Sequence, residues 1–200
     1  MNPASFTRIN VQDYWSLAIA NESRHGREKC PVCQRESFTL NYSKVWVPLD
    51  KEDLADIKRQ GWPATIGSLY HIAVRQDLKD WLLALPNHGL AFHPLELRPS
   101  RRTPDAPDYW LHEPLGEFDM EVPEEEFETC PGCGMISKTV PGEVKGDMFA
   151  PREGWSGHLF AHPRKVWPWM TYVLAGMAEE IAASWPEAFR FNRGKRITLR

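Results

Sequence analysis

Cys30-Pro-Val-Cys33 and Cys130-Pro-Gly-Cys133 hold all four cysteines of the 200-residue chain. Proline after the first cysteine favours a tight knuckle, with both thiolates on one side and backbone N–H groups aimed at the sulfurs. Two such knuckles face to face supply four thiolates, the tetrahedral set that Zn²⁺ takes in structural sites at ~2.3 Å per bond. Cys30, Cys33, Cys130 and Cys133 are therefore the expected ligands of a structural zinc ion. Four thiolates leave no open position for a catalytic water. Two rival readings stand beside this one. A redox dithiol sits between a strand and a helix, whereas Gly134 follows the second pair and no helical pattern follows the first. Two structural disulfides would need an oxidising compartment.

The spacing decides the fold. Residues 34–129 lie between the two pairs, so a metal held by both closes a very long loop, and everything inside it must fold as part of the same body. Residues 1–200 are accordingly expected to form one domain that loosens when the metal is lost.

Composition agrees with a folded chain. Apolar residues make up 42% and charged residues 26%, ordinary for a domain with a core. No apolar run approaches the ~18–20 residues of a membrane span. Residues 1–21 lack the basic start and apolar stretch of a secretory signal. A cytoplasmic protein with no membrane partner is the expectation. The net charge of −3 argues against a protein that wraps nucleic acid by bulk electrostatics. Nine tryptophans and 17 prolines suit short elements joined by fixed turns. The predicted fold class is α+β: a mixed sheet with short helices, stapled by a split four-cysteine, zinc-ribbon-like site.

Outward from the knuckles, residues 11–20 read as amphipathic and 21–29 as a polar loop. Residues 37–47 are rich in β-branched and aromatic residues and predict one or two strands. Asp50 is a natural N-cap for a helix over 51–60, with Glu52 and Asp53 in its first turn and Gly61 and Pro63 beyond its end. A strand over 68–74 precedes a helix over 76–85, whose Leu78, Trp81, Leu82 and Leu85 share a face. Pro86–Gly89 turns the chain into a strand over 90–97, and 98–108 read as loop. Residues 109–111 suggest another strand, and 135–151 only short extended pieces. A strand over 166–174, a helix over 175–184 and a strand over 188–191 close the pattern, before a basic tail. The strand–helix–strand units near 69–97 and 166–191 echo each other.

Candidate chemistry elsewhere is sparse. His25, His71, His88, His93, His112, His158 and His162 form no metal-protease helix motif, and the pairing of His88 and His93 with Glu96 is loose. There is no nucleophile elbow and no phosphate-cradling glycine loop. The expectation is that the chain is not an enzyme. Glu113, Glu117, Asp119, Glu121, Glu124, Glu125, Glu126 and Glu128 run without Lys or Arg. The bland reading is a solvated loop; the sharper one is a recognition surface for a basic partner, with Glu124, Glu125, Glu126 and Glu128 as contacts, since clustered charge selects partners and speeds association. Arg190, Arg193, Lys195, Arg196 and Arg200 form the opposite pole and would serve a nucleic-acid-binding regulator. Trp155, Trp167, Trp169 and Trp185 read as the core of the C-terminal unit in preference to an interface hot spot, with Trp155 the most exposed.

Lys29-Cys-Pro-Val-Cys33, Thr129-Cys-Pro-Gly-Cys-Gly134, Gly157-His-Leu-Phe160 and the closing Phe189-Arg-Phe191 resemble the double-CxxCG motif family of bacterial proteins. Gln34 departs from that pattern, standing where glycine is expected. Members of that family look like immunity proteins of toxin systems. The resemblance implies a cytoplasmic, zinc-binding, antitoxin-like protein. It would bind a cognate toxin, such as a nuclease, and occlude its active or substrate-binding surface. The alternative is a zinc-ribbon regulatory protein that binds nucleic acid through the basic tail.

Overall fold

A computed structural model describes residues 4–11, 18–19, 24–40, 42, 45–67, 71–99, 106–139, 144–168 and 170–200. In chain order the strands of the N-terminal part are β1 (Ser5–Val11), β2 (Ala18–Ile19), β3 (Arg24–Lys29), β4 (Glu36–Leu40), β5 (Val45–Leu49), β6 (Thr65–Gly67), β7 (Ile72–Arg75) and β8 (Leu90–Pro99). Those that follow are β9 (Tyr109–Pro114), β10 (Gly116–Phe118), β11 (Phe127–Thr129), β12 (Ile136–Lys138), β13 (Met148–Ala150), β14 (Phe160–Pro163), β15 (Tyr172–Leu174) and β16 (Phe189–Leu199). The helices are α1 (Lys51–Gln60), α2 (Gln76–Leu83) and α3 (Ala175–Ser184). The class is α+β, as the sequence predicts.

Two six-stranded mixed sheets, ordered β2-β5-β8-β9-β7-β6 and β10-β14-β15-β1-β16-β13, carry the fold, with the hairpins β3-β4 and β11-β12 beside them. Five strands of one sheet match five of the other pairing for pairing. β5 runs parallel to β8 as β13 does to β16. β8 is antiparallel to β9 as β16 is to β1. β9 is antiparallel to β7 as β1 is to β15, and β7 to β6 as β15 is to β14. The helix follows the same strand each time. The chain is thus a tandem repeat that exchanges strands: β1 lies in the sheet of the C-terminal repeat, and β9 in that of the N-terminal one. The echo seen in the two strand–helix–strand units is part of this larger repeat.

The register carries the match down to single residues. Val74 faces Trp110 where Val173 faces Thr7, and Arg75 faces Tyr109 where Leu174 faces Phe6. Leu90 faces Pro114 where Phe189 faces Val11. Trp62 packs on Tyr109 at 6.3 Å between ring centroids, and Trp155 on Phe6 at 5.8 Å. Trp155 is therefore not the exposed tryptophan that its Gly-Trp-Ser-Gly setting suggests. Trp167 sits edge-on against Phe127 and Trp185 joins the core; Trp169 lies outside the described residues.

Alternation along the strands builds three cores. Ile72 and Val74 turn inward, with Leu78 and Leu82 of α2, to meet Ile9, Phe160, Val173 and Phe189 from the other sheet and Ile181 of α3. Ala73, Tyr109 and Leu111 turn outward to Val47, Leu49, Ile66 and Ile57 of α1. Phe6, Phe118, Tyr172, Ile197 and Leu199 form the outer core of the second sheet. Each fully buried Leu, Ile or Phe contributes about 1.5–3 kcal/mol relative to exposure.

Several elements differ from the sequence reading. α1 starts and stops as expected: Asp50 accepts from the N–H of Glu52 and Asp53, Asp53 caps in return, and Gly61 ends the helix at φ 84°. Part of the polar loop over 21–29 is strand β3, paired with β4 below the first knuckle. The strand expected from residue 166 begins at Tyr172. The final strand does not stop at 191 but runs to Leu199, because Ile197 and Leu199 are buried against Phe6. Most of the amphipathic stretch over 11–20, and residues 68–70 and 100–105, lie outside the described residues.

Candidate metal centre

Each knuckle sits at the turn of a hairpin, and its backbone closes the same way twice. Gln34 donates its N–H to Cys30 O at 2.9 Å, and Gly134 to Cys130 O at 2.8 Å. Cys30 N–H bonds to Arg35 O at 3.0 Å, and Cys130 N–H to Met135 O at 2.9 Å. Closure needs a left-handed residue after the second cysteine. Gly134 supplies it at φ 69°, and Gln34 takes the same conformation at φ 57°. A side chain there is strained, and Gln34 offsets part of the strain by donating its Nε2 to Pro31 O at 3.0 Å. The departure from CxxCG at this position leaves the knuckle geometry unchanged.

The two knuckles meet across the quasi-twofold axis that relates the repeats. Cys30 Sγ lies 3.6 Å from Cys130 Sγ, and Cys33 Sγ 3.8 Å from Cys133 Sγ. All four sulfurs fall within 4.8 Å of one another. A tetrahedron with ~2.3 Å metal–sulfur bonds has edges of ~3.8 Å, so the cluster is of the size that a metal ion needs. The separations are far beyond the ~2.05 Å of a disulfide, and all four cysteines are free thiols. Cys130 is buried, Cys30 half-buried, and Cys33 and Cys133 exposed.

Electrostatics favours a cation here. The N–H groups of Cys133 and Gly132 aim at Cys130 Sγ and lower its pKa to about 6. The N–H groups of Cys33 and Val32 lower that of Cys30. Met135 N–H favours the Cys133 thiolate. Burial and hydrogen bonding to the other three sulfurs outweigh it and push Cys133 up to about 11. Without a cation the cluster resists losing its last protons; a soft divalent ion removes that resistance and displaces them. Cys30, Cys33, Cys130 and Cys133 can hold a metal ion.

One contact at the axis was not legible in the sequence. Positions 32 and 132 face each other, and a Cβ built on Gly132 would lie 2.8 Å from Val32 Cγ2 and 3.0 Å from Cys30 Sγ. Only one of the two positions has room for a side chain. Val32 occupies it, although 57% of its surface stays exposed.

The acidic run is largely spoken for. Glu117 and Asp119 hold Arg164 at 3.0 and 2.8 Å, and Glu121 pairs with Arg200. Glu126, expected at a partner contact, is instead buried. Its Oε1 accepts from Gly146 N–H at 2.9 Å and Lys145 N–H at 2.7 Å, and Lys138 lies 3.5 Å from Oε2. These partners lower its pKa, the Gly146 N–H most. Glu126 therefore fastens the segment before β13 and cannot reach a partner. Glu124, Glu125 and Glu128 remain exposed. The basic tail is likewise no free arm: Arg190 to Leu199 belong to β16, and the Arg200 guanidinium stacks 4.0 Å over Phe149.

The described histidine contacts lie elsewhere. His93 pairs with Glu113 at 2.7 Å rather than with Glu96, and stacks on Tyr42 at 3.9 Å. His88 Nδ1 accepts from Leu90 N–H at 3.0 Å. His112 is buried and bonds Thr171 at 3.0 Å; burial above all, then the charge of His71, lowers its pKa to about 4. His158 meets Ser156 Oγ at 2.9 Å, and that oxygen also accepts Glu117 N–H at 2.9 Å, tying the loop to β10. No helix is long and apolar enough to cross a membrane among the described residues. The chain matches no protein-family model and no curated protein.

Proposed function

We propose that the chain is a zinc-stapled binding protein of the cytoplasm that neutralises a cognate bacterial toxin, and that it carries out no reaction of its own. The observation that carries this reading is the convergence of all four cysteines, two from each repeat, on one point at the axis. Four thiolates fill the coordination of a zinc ion, which would act as a staple between the knuckles and leave no position for water. What remains for the protein to offer is surface. The exchanged strands and the central core make a body rigid enough to hold that surface in one shape. The motifs Cys30-Pro-Val-Cys33 and Cys130-Pro-Gly-Cys-Gly134 support the antitoxin-like reading through their resemblance to the double-CxxCG proteins.

Neutralisation would be steric and electrostatic. The bound chain covers the active or substrate-binding surface of the toxin, and the exposed carboxylates Glu124, Glu125 and Glu128, beside the second knuckle, steer a basic target such as a nuclease. The test is co-expression with the toxin-like product of the neighbouring reading frame. Expected are rescue of growth and a stable complex that carries zinc in equal molar amount to this chain. Reversing Glu124, Glu125 and Glu128 should slow association and spare the fold. Neither rescue nor a complex would overturn the reading.

A further inference from the structure

The two repeats act as internal controls for each other, and at one place they differ by a whole side chain. In the N-terminal repeat Trp110, opposite Val74, lies along α2. Its Nε1 donates to Gln76 Oε1 at 2.5 Å, and Lys79 Nζ sits 3.3 Å from the ring centroid. Gln76 is itself held by Asp80 at 2.7 Å. Gln76, Lys79 and Asp80 are the first, fourth and fifth residues of their helix. In the C-terminal repeat the residue opposite Val173 is Thr7, and the same helix positions hold Ala175, Ala178 and Glu179. The ring and both side chains that clasp it are cut back together.

The result is a cavity of about 280 Å³ lined by Thr7, Ala175, Ala178, Glu179, Phe191 and Arg196. Phe191 is the register equivalent of Phe92. The cavity opens to solvent. The chemistry that suits an indole persists around it. Arg196, from β16 rather than from the helix, brings a cation to the lining, and Glu179 keeps a carboxylate at the helix position that Asp80 holds. Glu179 and Arg196 are exposed and flank the mouth; Thr7 and Ala178 are buried.

We propose that this cavity is a socket for an aromatic side chain, tryptophan foremost, presented by an exposed loop of a protein partner. The inference rests on the reading of the chain as a binding protein, and it names where the partner is gripped. Tryptophan is enriched at interface hot spots, and a guanidinium over its face adds attraction. In the docked state the partner's ring takes the place that Trp110 fills in the other repeat. Its N–H faces Glu179, and its π-face lies under Arg196.

Indole itself is the probe, titrated into the full-length, metal-loaded chain and followed by amide chemical shifts. Expected are saturable shifts confined to Thr7, Ala175, Ala178, Phe191, Arg196 and their neighbours. Thr7→Trp should fill the socket in cis, raise the Tm and abolish those shifts. Arg196→Glu, an exposed change that spares the fold, should weaken indole binding about two- to fivefold. No saturable shift at these amides, or shifts undiminished in both variants, would overturn the proposal. Indole requires no toxin, so a socket that binds it in a protein that fails to rescue growth would sink the toxin reading alone. Rescue without indole binding would sink the socket alone.

Discussion

Gly132 and Val32 offer the sharpest test of the axis. Gly132→Val places a second branched side chain where its Cβ would already lie 2.8 Å from Val32 Cγ2 and 3.0 Å from Cys30 Sγ. The first contact is shorter than atoms tolerate and the second is at the limit, so the knuckles must separate to relieve them. Overpacking of this kind costs about 1–3 kcal/mol. Because the knuckles carry the ligands, the cost should fall on the metal, as a roughly 5- to 150-fold loss of affinity at ~1.4 kcal/mol per factor of ten. Val32→Gly alone should change little, since Val32 is mostly exposed. The double variant Val32→Gly/Gly132→Val moves the side chain from one side of the axis to the other and should recover most of the loss. The measurement is competition for the metal against a chromogenic chelator in all four proteins of the cycle, which isolates the pair term. A single Gly132→Val with wild-type affinity, or a double variant no better than the single, would refute the quasi-twofold placement of these residues.

Three further outcomes follow from the geometry. His112 has a folded pKa of about 4 against an ordinary 6.5. As pH falls below ~6.5 the unfolded chain therefore binds a proton that the folded one refuses, and stability is lost down to pH ~4, by about 3 kcal/mol in all. Urea melts of wild type and His112→Gln across that window should converge at low pH, and parallel curves would contradict the assignment. Gln34→Gly should keep the metal and stabilise the knuckle by about 1 kcal/mol, because glycine adopts φ 57° without strain; a lower denaturation midpoint would count against it. Chelation should lower the Tm yet keep the far-UV signal of the strands, since β1 and β9 still interlock the repeats. Collapse of that signal would show that the staple carries more than the strands do.

How much the sequence disclosed depends on the range of the forces involved. The cysteine set was legible because four thiols in two matched knuckles admit few uses. α1 was legible because Asp50, Asp53 and Gly61 act within one turn of the helix ends. The place of β1 was not: Ser5–Val11 finds its neighbours at Tyr172–Leu174 and Phe189–Leu199, and nothing local in those residues names a partner so distant. The same distance hid the end of β16, where basic residues mask Ile197 and Leu199, buried only because Phe6 comes to meet them. Glu126 hides among like neighbours, since only the return of Lys145 and Gly146 makes one carboxylate of the run a buried anchor. The expectation that metal loss loosens everything came from counting the residues in the loop. Strand exchange closes much of that loop independently, so the ion has less entropy left to remove.

The repeat also explains why its two halves differ where they do. A homodimer of one repeat would place the same residue on both sides of every axial contact. At positions 32 and 132, where there is room for one side chain, it would be confined to glycine on both sides or to a clash. Joining the repeats in one chain lifts that restriction: Val32 covers the knuckle that Gly132 leaves open. The same freedom lets Trp110 lie along α2 in the N-terminal repeat while Thr7, Ala175 and Ala178 leave a cavity among the described residues at the matching place in the C-terminal one. It also lets α1 cover the outer core on one side, where the single turn Arg152–Gly154 stands on the other. The shared features, thiols and exchanged strands, lie where symmetry stabilises the fold. The unshared ones, Val32 against Gly132, Trp110 against Thr7 and α1 against a single turn, lie where one continuous chain is free to break that symmetry.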